Sequence, residues 1–424
     1  MGCARSIWNA KVEEERYYRT YARKYCTIGT YAPIDQTTSQ FKSKELSPWL
    51  SECPSQILRN SAVNWYQTYQ KFMSGKCGRP KRKPKTDKGS IYLTREVFRF
   101  DHCDDGNVRL FIGTKTNNIG YLSFKAHGKF EIPNSLYVRK ERGHYYVSFC
   151  YEQGQPDRKL STNEEHLAFL QGATREYLEE HTMGVDRGVA IPVCAGEQTY
   201  DFTHSQKKNM SKADRYIKRL QRKLARQQKG SNRRAKTKHR IAVHHAKKAN
   251  IRNDFAHKTS RLLVDSSAKI IVFEALRTAR MTRRPKAKQD EQGRFISNKA
   301  KQKAGLNKSI LNVGWHVIET YTYYKAYSSS KAVFKIPAPT TSQECAKCGH
   351  THPDNRKTQA LFVCGNCGNT DNADHNASLV IKKRAINLIL DTGTVLSGDG
   401  VLRTQSDSGR GGNRKTGRAK SSTS

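Results

Sequence analysis

The chain has 424 residues, enough for roughly two to four domains and at least one sizeable core. Its 77 Lys and Arg against 37 Asp and Glu give a net charge of +40, which indicates a polyanionic partner, either nucleic acid or an anionic membrane surface. The mean hydropathy is −0.81 and no apolar run is long enough to span a bilayer. The N-terminal segment has no apolar stretch behind basic residues, so we expect a cytoplasmic or nuclear location.

The first part of the chain changes from a helical to a strand pattern. Residues 1–76 place apolar and aromatic side chains at spacings of three and four, which predicts helices. Residues 75–89 are dense in Pro, Gly and positive charge, and this composition predicts a solvated or phosphate-contacting connector. From 91 to 152 the period becomes two, which predicts a small antiparallel β-domain. We therefore expect a helical domain over 1–76 and a β-rich domain over 77–155.

The rest of the chain alternates strands and helices, the pattern of an α/β domain. A helical linker over 156–182 precedes the buried strand MGVDRGVAIPVC. Residues 207–261 predict two long antiparallel helices joined near Gly230 and Ser231. The next predicted elements are the strand AKIIVFEAL, a basic loop over 277–303, a helix over about 306–327, the strand AVFKIP, a last helix over about 373–390 and a disordered tail over 391–424.

Four of the eleven cysteines follow a spacing rule. They form two CxxC pairs, Cys345 with Cys348 and Cys364 with Cys367, while the scattered remainder are expected to be reduced thiols. Two such knuckles place four thiolates around one ion, and zinc is the metal that this set favours. Because all four ligands are cysteines, no coordination position stays open, and the zinc is expected to be structural.

Three acids occupy positions where a carboxylate is costly unless it is paired or binds a metal. Asp186 lies inside the first buried strand, Glu274 ends the second, and Asp374 opens the final helix. Converging carboxylates predict a site for two Mg²⁺ ions that promotes phosphodiester hydrolysis. Each acid has another interpretation: GVDRG also suits a phosphate loop of an actin-like ATPase, a Glu at a strand end is often solvated, and an acid at a helix start complements the helix dipole. Their order along the chain favours a joint catalytic role.

Two basic clusters are candidate nucleic-acid contacts, or else solvated charged surfaces. The first lies on the predicted helix pair: Lys218, Arg219, Arg222, Lys223, Arg226, Arg233 and Arg234. The second lies in the Pro-rich connector: Arg79, Lys81, Arg82 and Lys83. Trp65, Tyr66 and Tyr69 nearby are either base-stacking groups or core residues. The basic loop over 277–303 is expected to act as a lid over the acids.

The segments GVDRG, IIVFEAL, TTSQECAKCGHTHPDNRKTQALFVCGNCG and NADHNAS, in this order, resemble the RuvC-type nuclease of TnpB, the transposon-encoded family related to type V CRISPR effectors. The resemblance covers about residues 183–390 closely and the N-terminal part more loosely. It implies a multidomain α/β protein whose RNase H-like (RuvC) nuclease domain, over 183–340 and 370–390, contains an inserted zinc ribbon over 341–369. It further implies that 1–76 is a helical recognition domain and that 77–155 is a small β-barrel-like wedge domain.

The same resemblance implies an RNA-guided DNA endonuclease that is associated with the nucleoid of a prokaryote. Asp186, Glu274 and Asp374 are then the catalytic ligands of two Mg²⁺ ions, next to the structural Zn²⁺. The implied partners are one guide RNA per protein, transcribed beside the gene, and double-stranded target DNA that carries a short adjacent motif. Two other functions remain open: an RNA-guided DNA-binding repressor without cleavage, and a DNA transposase.

Overall fold

The computed structural model describes residues 1–22, 38–85, 88–102, 107–115, 117–126, 130–141, 143–150 and 160–404. The chain forms two compact units, Met1–Pro156 and Asp157–Ser424. Within the described ranges, no helix combines the length and the apolar character that crossing a membrane requires.

The first unit contains two long helices, α1 (Gly2–Tyr17) and α2 (Ser55–Met73), as the spacing of apolar residues predicts. A π-turn, Tyr18–Ala22, continues α1, and short 3₁₀ turns cover Ser39–Phe41 and Pro48–Leu50. The remainder of the predicted helical range, 23–37, lies outside the described residues.

The strands of the first unit form two antiparallel three-stranded sheets, which confirms the predicted β-domain pattern. In chain order the strands are β1 (Gly89–Thr94), β2 (Phe98–His102), β3 (Asn107–Gly113), β4 (Asn118–Lys125), β5 (Ser135–Glu141) and β6 (His144–Ser148). The sheet orders are β1-β5-β6 and β2-β3-β4. Helices and sheets share one core, which includes Ile7, Leu58, Leu93, Leu110 and Leu136. The predicted ranges 1–76 and 77–155 therefore bury their apolar side chains together.

A parallel sheet forms the centre of the second unit. Its order is β13-β10-β7, from β7 (Thr182–Val185), β10 (Ile270–Glu274) and β13 (Ala332–Ile336). The hairpin of β8 (Val193–Ala195) and β9 (Gln198–Tyr200) joins β7 through a single bridge between Asp186 and Cys194. The expectation that Asp186 lies inside a strand is wrong, because β7 ends at Val185 and Asp186 is attached only by this bridge.

Helices cover both faces of this sheet. Along β10, Ile271 and Phe273 point to one layer while Ile270 and Val272 point to the other, as the two-residue period of a strand requires. Every residue of β10 is buried, which explains its uninterrupted apolar sequence. The helices are α3 (Asn163–Leu170), α4 (Arg175–His181), α5 (His204–Ala225), α6 (Asn232–Asp265), α7 (Thr278–Met281), α8 (Ala300–Val313), α9 (Trp315–Ser328) and α10 (Ala373–Leu390).

Several predicted elements of this unit are confirmed and two are corrected. Helices α5 and α6 form the predicted antiparallel pair, and Gly230 adopts a φ of +87° between them. The single helix predicted over 306–327 is wrong, because Gly314 at a φ of +79° separates α8 from α9. The basic loop over 277–303 contains α7 and a short hairpin of β11 (Lys288–Gln289) and β12 (Phe295–Ile296).

The predicted disordered tail is wrong for residues 391–404. After the hairpin of β14 (Leu361–Val363) and β15 (Thr370–Asn372), this segment forms a hairpin of β16 (Thr394–Leu396) and β17 (Leu402–Thr404). Val401 forms a parallel bridge with Lys335 of β13. Leu402 is fully buried against the sheet core, so burial of a few apolar residues orders a sequence of otherwise polar composition. Residues 405–424 lie outside the described residues.

Candidate active site

The three predicted acids lie at one edge of the parallel sheet. Asp186 directly follows β7 and Glu274 is the last residue of β10, and the carboxyl ends of neighbouring parallel strands meet at the same edge. Asp374 is the second residue of α10, which packs across β7. Glu274 is 6% exposed and Asp374 is 4% exposed, so two of the three carboxylates are almost fully buried.

Gly184 in β7 makes this approach possible. A Cβ at this position would lie 2.7 Å from the Lys382 backbone nitrogen and would also collide with the Ser378 carbonyl oxygen. Helix α10 therefore packs directly against the backbone of β7, which brings Asp374 beside Asp186. This glycine precedes Asp186 by two residues, and sequence reasoning missed its role.

Burial destabilises the charged forms of all three carboxylates. Burial, together with the negative charges of Glu274 and Asp374, raises the pKa of Asp186 to about 7. Burial also raises the pKa of Glu274 and of Asp374. For Glu274 the Thr341 hydroxyl opposes this rise, and for Asp374 the Arg356 guanidinium does so. A buried set of acids with raised pKa values is a favourable site for a divalent cation.

Arg187 holds the turn that carries Asp186. The buried guanidinium donates to Glu319 Oε2 at 2.7 Å and to the Glu274 carbonyl oxygen, and it lies 5.0 Å from the Phe273 ring centroid. Lys335 Nζ also contacts Glu319, at 3.2 Å. These ion pairs connect the turn after β7 to β10, β13 and α9. Sequence reasoning missed Arg187 and Glu319, since their pairing depends on contacts between distant segments.

The turn after Asp186 is closed on its other side by Trp315, whose indole Nε1 donates to the Gly188 carbonyl oxygen at 3.0 Å. Gly188 lacks the side chain that this closed turn would otherwise have to accommodate. Its missing Cβ would lie 2.6 Å from the Ile191 carbonyl oxygen and 3.8 Å from Asp374 Oδ2. The turn therefore requires glycine at this position, because a larger residue would collide with the Ile191 carbonyl oxygen. The space beside Gly188 faces Asp374.

Two of the acids have hydrogen-bond partners from the segment that follows β13. Arg356 Nη2 donates to Asp374 Oδ1 at 3.1 Å, and the Thr341 hydroxyl donates to Glu274 Oε1. The oxygen atoms of the three acids do not all lie within 4.8 Å of one another: among the described residues, the four cysteines form the only group of three or more metal-ligating side chains that meets this distance. The acids supply the hard oxygen donors that Mg²⁺ prefers, and their raised pKa values fit a bound cation.

The four predicted cysteines converge on one point. Cys345 Sγ lies 3.7 Å from Cys367 Sγ, and Cys348 Sγ lies 3.6 Å from Cys364 Sγ. Tetrahedral zinc with Zn–S bonds of about 2.3 Å places sulfur atoms about 3.8 Å apart, so the set fits a zinc ion. Gly349 and Gly368 have φ values of +77° and +67° in equivalent turns, as expected for two CxxC knuckles.

The cysteine cluster is attached to the helix that carries Asp374. The fully buried Asn376 amide donates to the Glu344 carbonyl oxygen at 2.7 Å and accepts from the Ala346 backbone nitrogen at 3.0 Å, on either side of Cys345. Arg384 Nε, farther along α10, donates to Glu344 Oε2 at 2.8 Å. The first knuckle and the N-terminus of α10 therefore form one connected structure.

The chain matches two protein-family models and is similar in sequence to a curated protein. The family model described as "Probable transposase" (OrfB_IS605) matches residues 148–284, and the model described as "Cas12f1-like, TNB domain" matches residues 315–381. A protein of Escherichia coli (strain K12) named "Putative RNA-guided DNA endonuclease InsQ" is 28% identical over 89% of this chain and 85% of its own length. These matches support a TnpB-like protein.

Two further similarities support this identification. The CRISPR-associated endodeoxyribonuclease Cas12f1 of Sulfoacidibacillus thermotolerans is 27% identical over 59% of the TnpB-like chain and 53% of its own length. A cryo-EM structure of a Cas12f1–sgRNA–target DNA complex matches the fold with a TM-score of 0.50 at 13% identity, over 89% of this chain and 80% of that one. The fold is therefore of the compact type V kind.

The candidate nucleic-acid contacts on α5 and α6 of the TnpB-like chain differ in whether their side chains are free to reach a ligand. Arg234 is engaged, because its guanidinium donates to the carbonyl oxygens of Leu224 and Gln227 and so caps the end of α5. The others have exposed side chains: Lys218, Arg219, Arg222, Lys223, Arg226 and Arg233. These six remain predicted nucleic-acid contacts.

The connector candidates in the first unit pack against α1. Arg79 pairs with Glu15, and Arg82 Nη1 lies 3.2 Å from Glu13 Oε1. Lys83 Nζ lies 3.5 Å from the ring centroid of Trp8, whose indole nitrogen donates to the Lys81 carbonyl oxygen at 2.9 Å. Lys81, whose side chain is exposed, and the other three cations remain predicted nucleic-acid contacts. The contacts with α1 hold the connector in place.

The aromatic candidates near the connector are mainly structural. Trp65 is 1% exposed and stacks on Tyr69 at 5.3 Å between ring centroids, while Tyr66 is half-buried. The core interpretation of Trp65 is correct, since a fully buried ring has no surface on which a base can stack.

Proposed function

We propose that the TnpB-like chain is a Mg²⁺-dependent, RNA-guided DNA endonuclease. The observation that carries this proposal is the meeting of Asp186, Glu274 and Asp374, from three separate chain segments, at one sheet edge where burial raises the pKa of each. The names of the relatives, an RNA-guided DNA endonuclease and a CRISPR-associated endodeoxyribonuclease, supply the substrate class. We also propose that the second unit is an RNase H-like (RuvC) domain, supported by its two-sided α/β layering.

In this proposal the three acids hold two Mg²⁺ ions. When bound, such ions polarise the scissile phosphate, lower the pKa of an attacking water and stabilise the leaving 3′ oxygen. Arg187 keeps the Asp186 turn against β10, and the Arg187–Glu319 pair prevents the turn from moving away from Glu274. Arg356, at Asp374, adds a positive charge where negative charge develops on the phosphate.

Guide RNA selects the target by base pairing, while protein side chains read only a short adjacent motif. The complex of the structural neighbour, which contains an sgRNA and target DNA, supports this part of the proposal. One protein binds one guide RNA, and recognition and wedge functions reside in residues 1–76 and 77–155. A single nuclease centre requires that the two DNA strands be cut in turn.

The test is the substitution Asp186→Ala in the protein purified with its copurifying RNA. We expect plasmid cutting in Mg²⁺ to fall by more than about a thousandfold, since a metal ligand is lost, while RNA and DNA binding stay within about twofold. Sequencing the copurified RNA supplies the guide from which the plasmid target is designed. Retained cutting by the variant contradicts the assignment of Asp186.

The description "Probable transposase" makes DNA strand transfer the competing function. The acids here run Asp, Glu, Asp along the chain, whereas transposases of the strand-transfer kind usually run Asp, Asp, Glu. A strand-transfer assay without RNA separates the two functions, and joined DNA ends in that assay favour the transposase. RNA-dependent binding by the unmodified protein in Mg²⁺, with no cutting, favours a repressor instead.

A further inference from the structure

A long basic cleft of about 1460 Å³ lies in the second unit, between α5, α6, α8 and the segment after α7. One wall is a single face of α5, on which Lys207, Ser211, Asp214, Lys218 and Gln221 follow at helical spacing. From Lys207 to Gln221 this wall extends about 21 Å at 1.5 Å per residue. A cleft of this length suits an extended ligand, and a single small anion occupies only part of it.

The charge of the cleft is strongly positive and largely uncompensated. Among the described residues that line it, Asp214 is the one acid, and its two carboxylate oxygens are already engaged by Lys248 Nζ at 2.6 Å and by Lys308 Nζ at 3.1 Å. The cations that remain include Arg215 and Lys218 from α5, Arg252 from α6 and Lys301 from α8. An anionic ligand therefore finds several positive charges that no acid from the described ranges neutralises.

Among these cations, Arg252 gives the strongest indication that the cleft binds an anion. Its side chain is half-buried, and no hydrogen-bond or ion-pair partner for it exists within the described part of the chain. Burial lowers the pKa of this guanidinium, with Asp214 opposing the effect. Keeping an unpaired, partly desolvated guanidinium is costly unless an anion completes the site.

The Asp214–Lys308 ion pair joins α5 to α8 near the middle of the cleft, so at this point the two helices are no farther apart than two side chains can reach. A cleft of that width admits one polynucleotide strand and excludes a duplex. The lining carries basic, polar and aliphatic groups, with Met210, Ile217 and Leu311 as its larger apolar side chains. Such a surface contacts phosphates regardless of base sequence.

Part of the cleft lining is also close in sequence to Glu274, one of the three predicted metal ligands. Its lining residues Thr282 and Arg284 come soon after Glu274. The chain between Glu274 and Thr282, which includes the four residues of α7, spans at most about 20 Å. A strand in the cleft is therefore within a few nucleotides of the three carboxylates.

We propose that this cleft binds the sugar–phosphate backbone of a single DNA strand and leads that strand to the acid cluster. The inference rests on the proposed nuclease function, because the strand in the cleft is then the one to be cut. Guide RNA is the competing occupant, and the experiment distinguishes the two.

The experiment compares two triple variants of the full chain, each made in the Asp186→Ala background so that no cutting occurs. The cleft variant is Arg215→Gln, Arg252→Gln and Lys301→Gln; the control, with the same loss of charge, is Lys236→Gln, Lys238→Gln and Arg240→Gln on the exposed start of α6. The probe is a fluorescent oligothymidine of about 20 nucleotides. Its affinity for the protein saturated with copurifying RNA is measured by anisotropy over a salt series.

Each lost phosphate contact reduces the slope of log K against log salt by about 0.7 for a single strand. We expect the cleft variant to lose about 2 from this slope and the control to lose less than about 0.7. Equal losses in both variants overturn the proposal, as does an unchanged slope for the cleft variant. A loss confined to RNA binding, with oligothymidine binding unchanged, assigns the cleft to guide RNA and also overturns it.

Circular dichroism melting of both variants checks that the fold is kept. The result is independent of cleavage, so failure of this inference is distinguishable from failure of the proposed nuclease function, which the Asp186→Ala cutting assay tests.

Discussion

The cysteine cluster and the acid cluster lie close together, but they are built in opposite ways. The cysteines come from one short segment, and each CxxC turn places its own two sulfur atoms with help from a local glycine. The acids come from three distant segments and meet only because β7, β10 and α10 pack together. A locally built site can be predicted from spacing alone, whereas a site built by packing depends on residues that carry no chemistry themselves.

The largest expected effect comes from removing zinc. A structural zinc site contributes on the order of 10 kcal/mol to local folding, so chelation should unfold the segment 341–372. Because Asn376 and Arg384 attach the first knuckle to α10, we expect amide protection to fall at 345–367 and also at 373–378. Hydrogen exchange with mass spectrometry measures both.

Substitution of the exposed Cys77 by Ser provides the control, which should keep its zinc content and its exchange pattern. Unchanged protection at 373–378 after zinc loss contradicts the coupling between the two clusters.

A smaller but still large effect is expected for Gly184→Ala. The added Cβ meets the backbone of α10, which cannot shift without moving Asp374, so we expect a loss of about 3 kcal/mol in unfolding free energy. Urea unfolding of the full chain measures this change. Gly305→Ala is the matched control: no atom lies within 4 Å of its Cβ position in α8, so the substitution should stabilise the protein by up to about 1 kcal/mol. The same direction of change in both variants contradicts the packing role of Gly184.

The last expected effect is a pH dependence of the acid cluster. The pKa of Asp186 rises from 3.8 to about 7 on folding, so the folded state holds a proton that the unfolded state releases. Stability without metal should therefore fall as pH rises from about 4 to about 7, while Mg²⁺ affinity should rise up to tenfold per pH unit over the upper part of that range. Thermal melting and calorimetric titration measure the two trends. Asp186→Asn should flatten both, and a variant that retains them shows that another group titrates.

Much of the architecture could be predicted from the sequence because it depends on local patterns. The period of two before residue 152, the long basic helices α5 and α6, the buried strands β7 and β10 and the CxxC pairs all express spacing rules within single segments. The family resemblance, which is confirmed, rests on the order of such segments. The errors also have local causes: the break at Gly314 depends on one left-handed residue, and the hairpin at 394–404 is ordered by burial of Leu402 against the sheet.

The sequence by itself determined the residue types, the period of each element and the four-cysteine cluster, because neighbours along the chain set these features. Only the tertiary structure decided that Gly184 admits α10, that Arg187 pairs with Glu319, that Arg356 reaches Asp374 and that Arg252 lines a basic cleft. Each of these depends on the distance between segments far apart in sequence. Such distances follow from the packing of whole elements, and the sequence of a single segment does not contain the information that sets this packing.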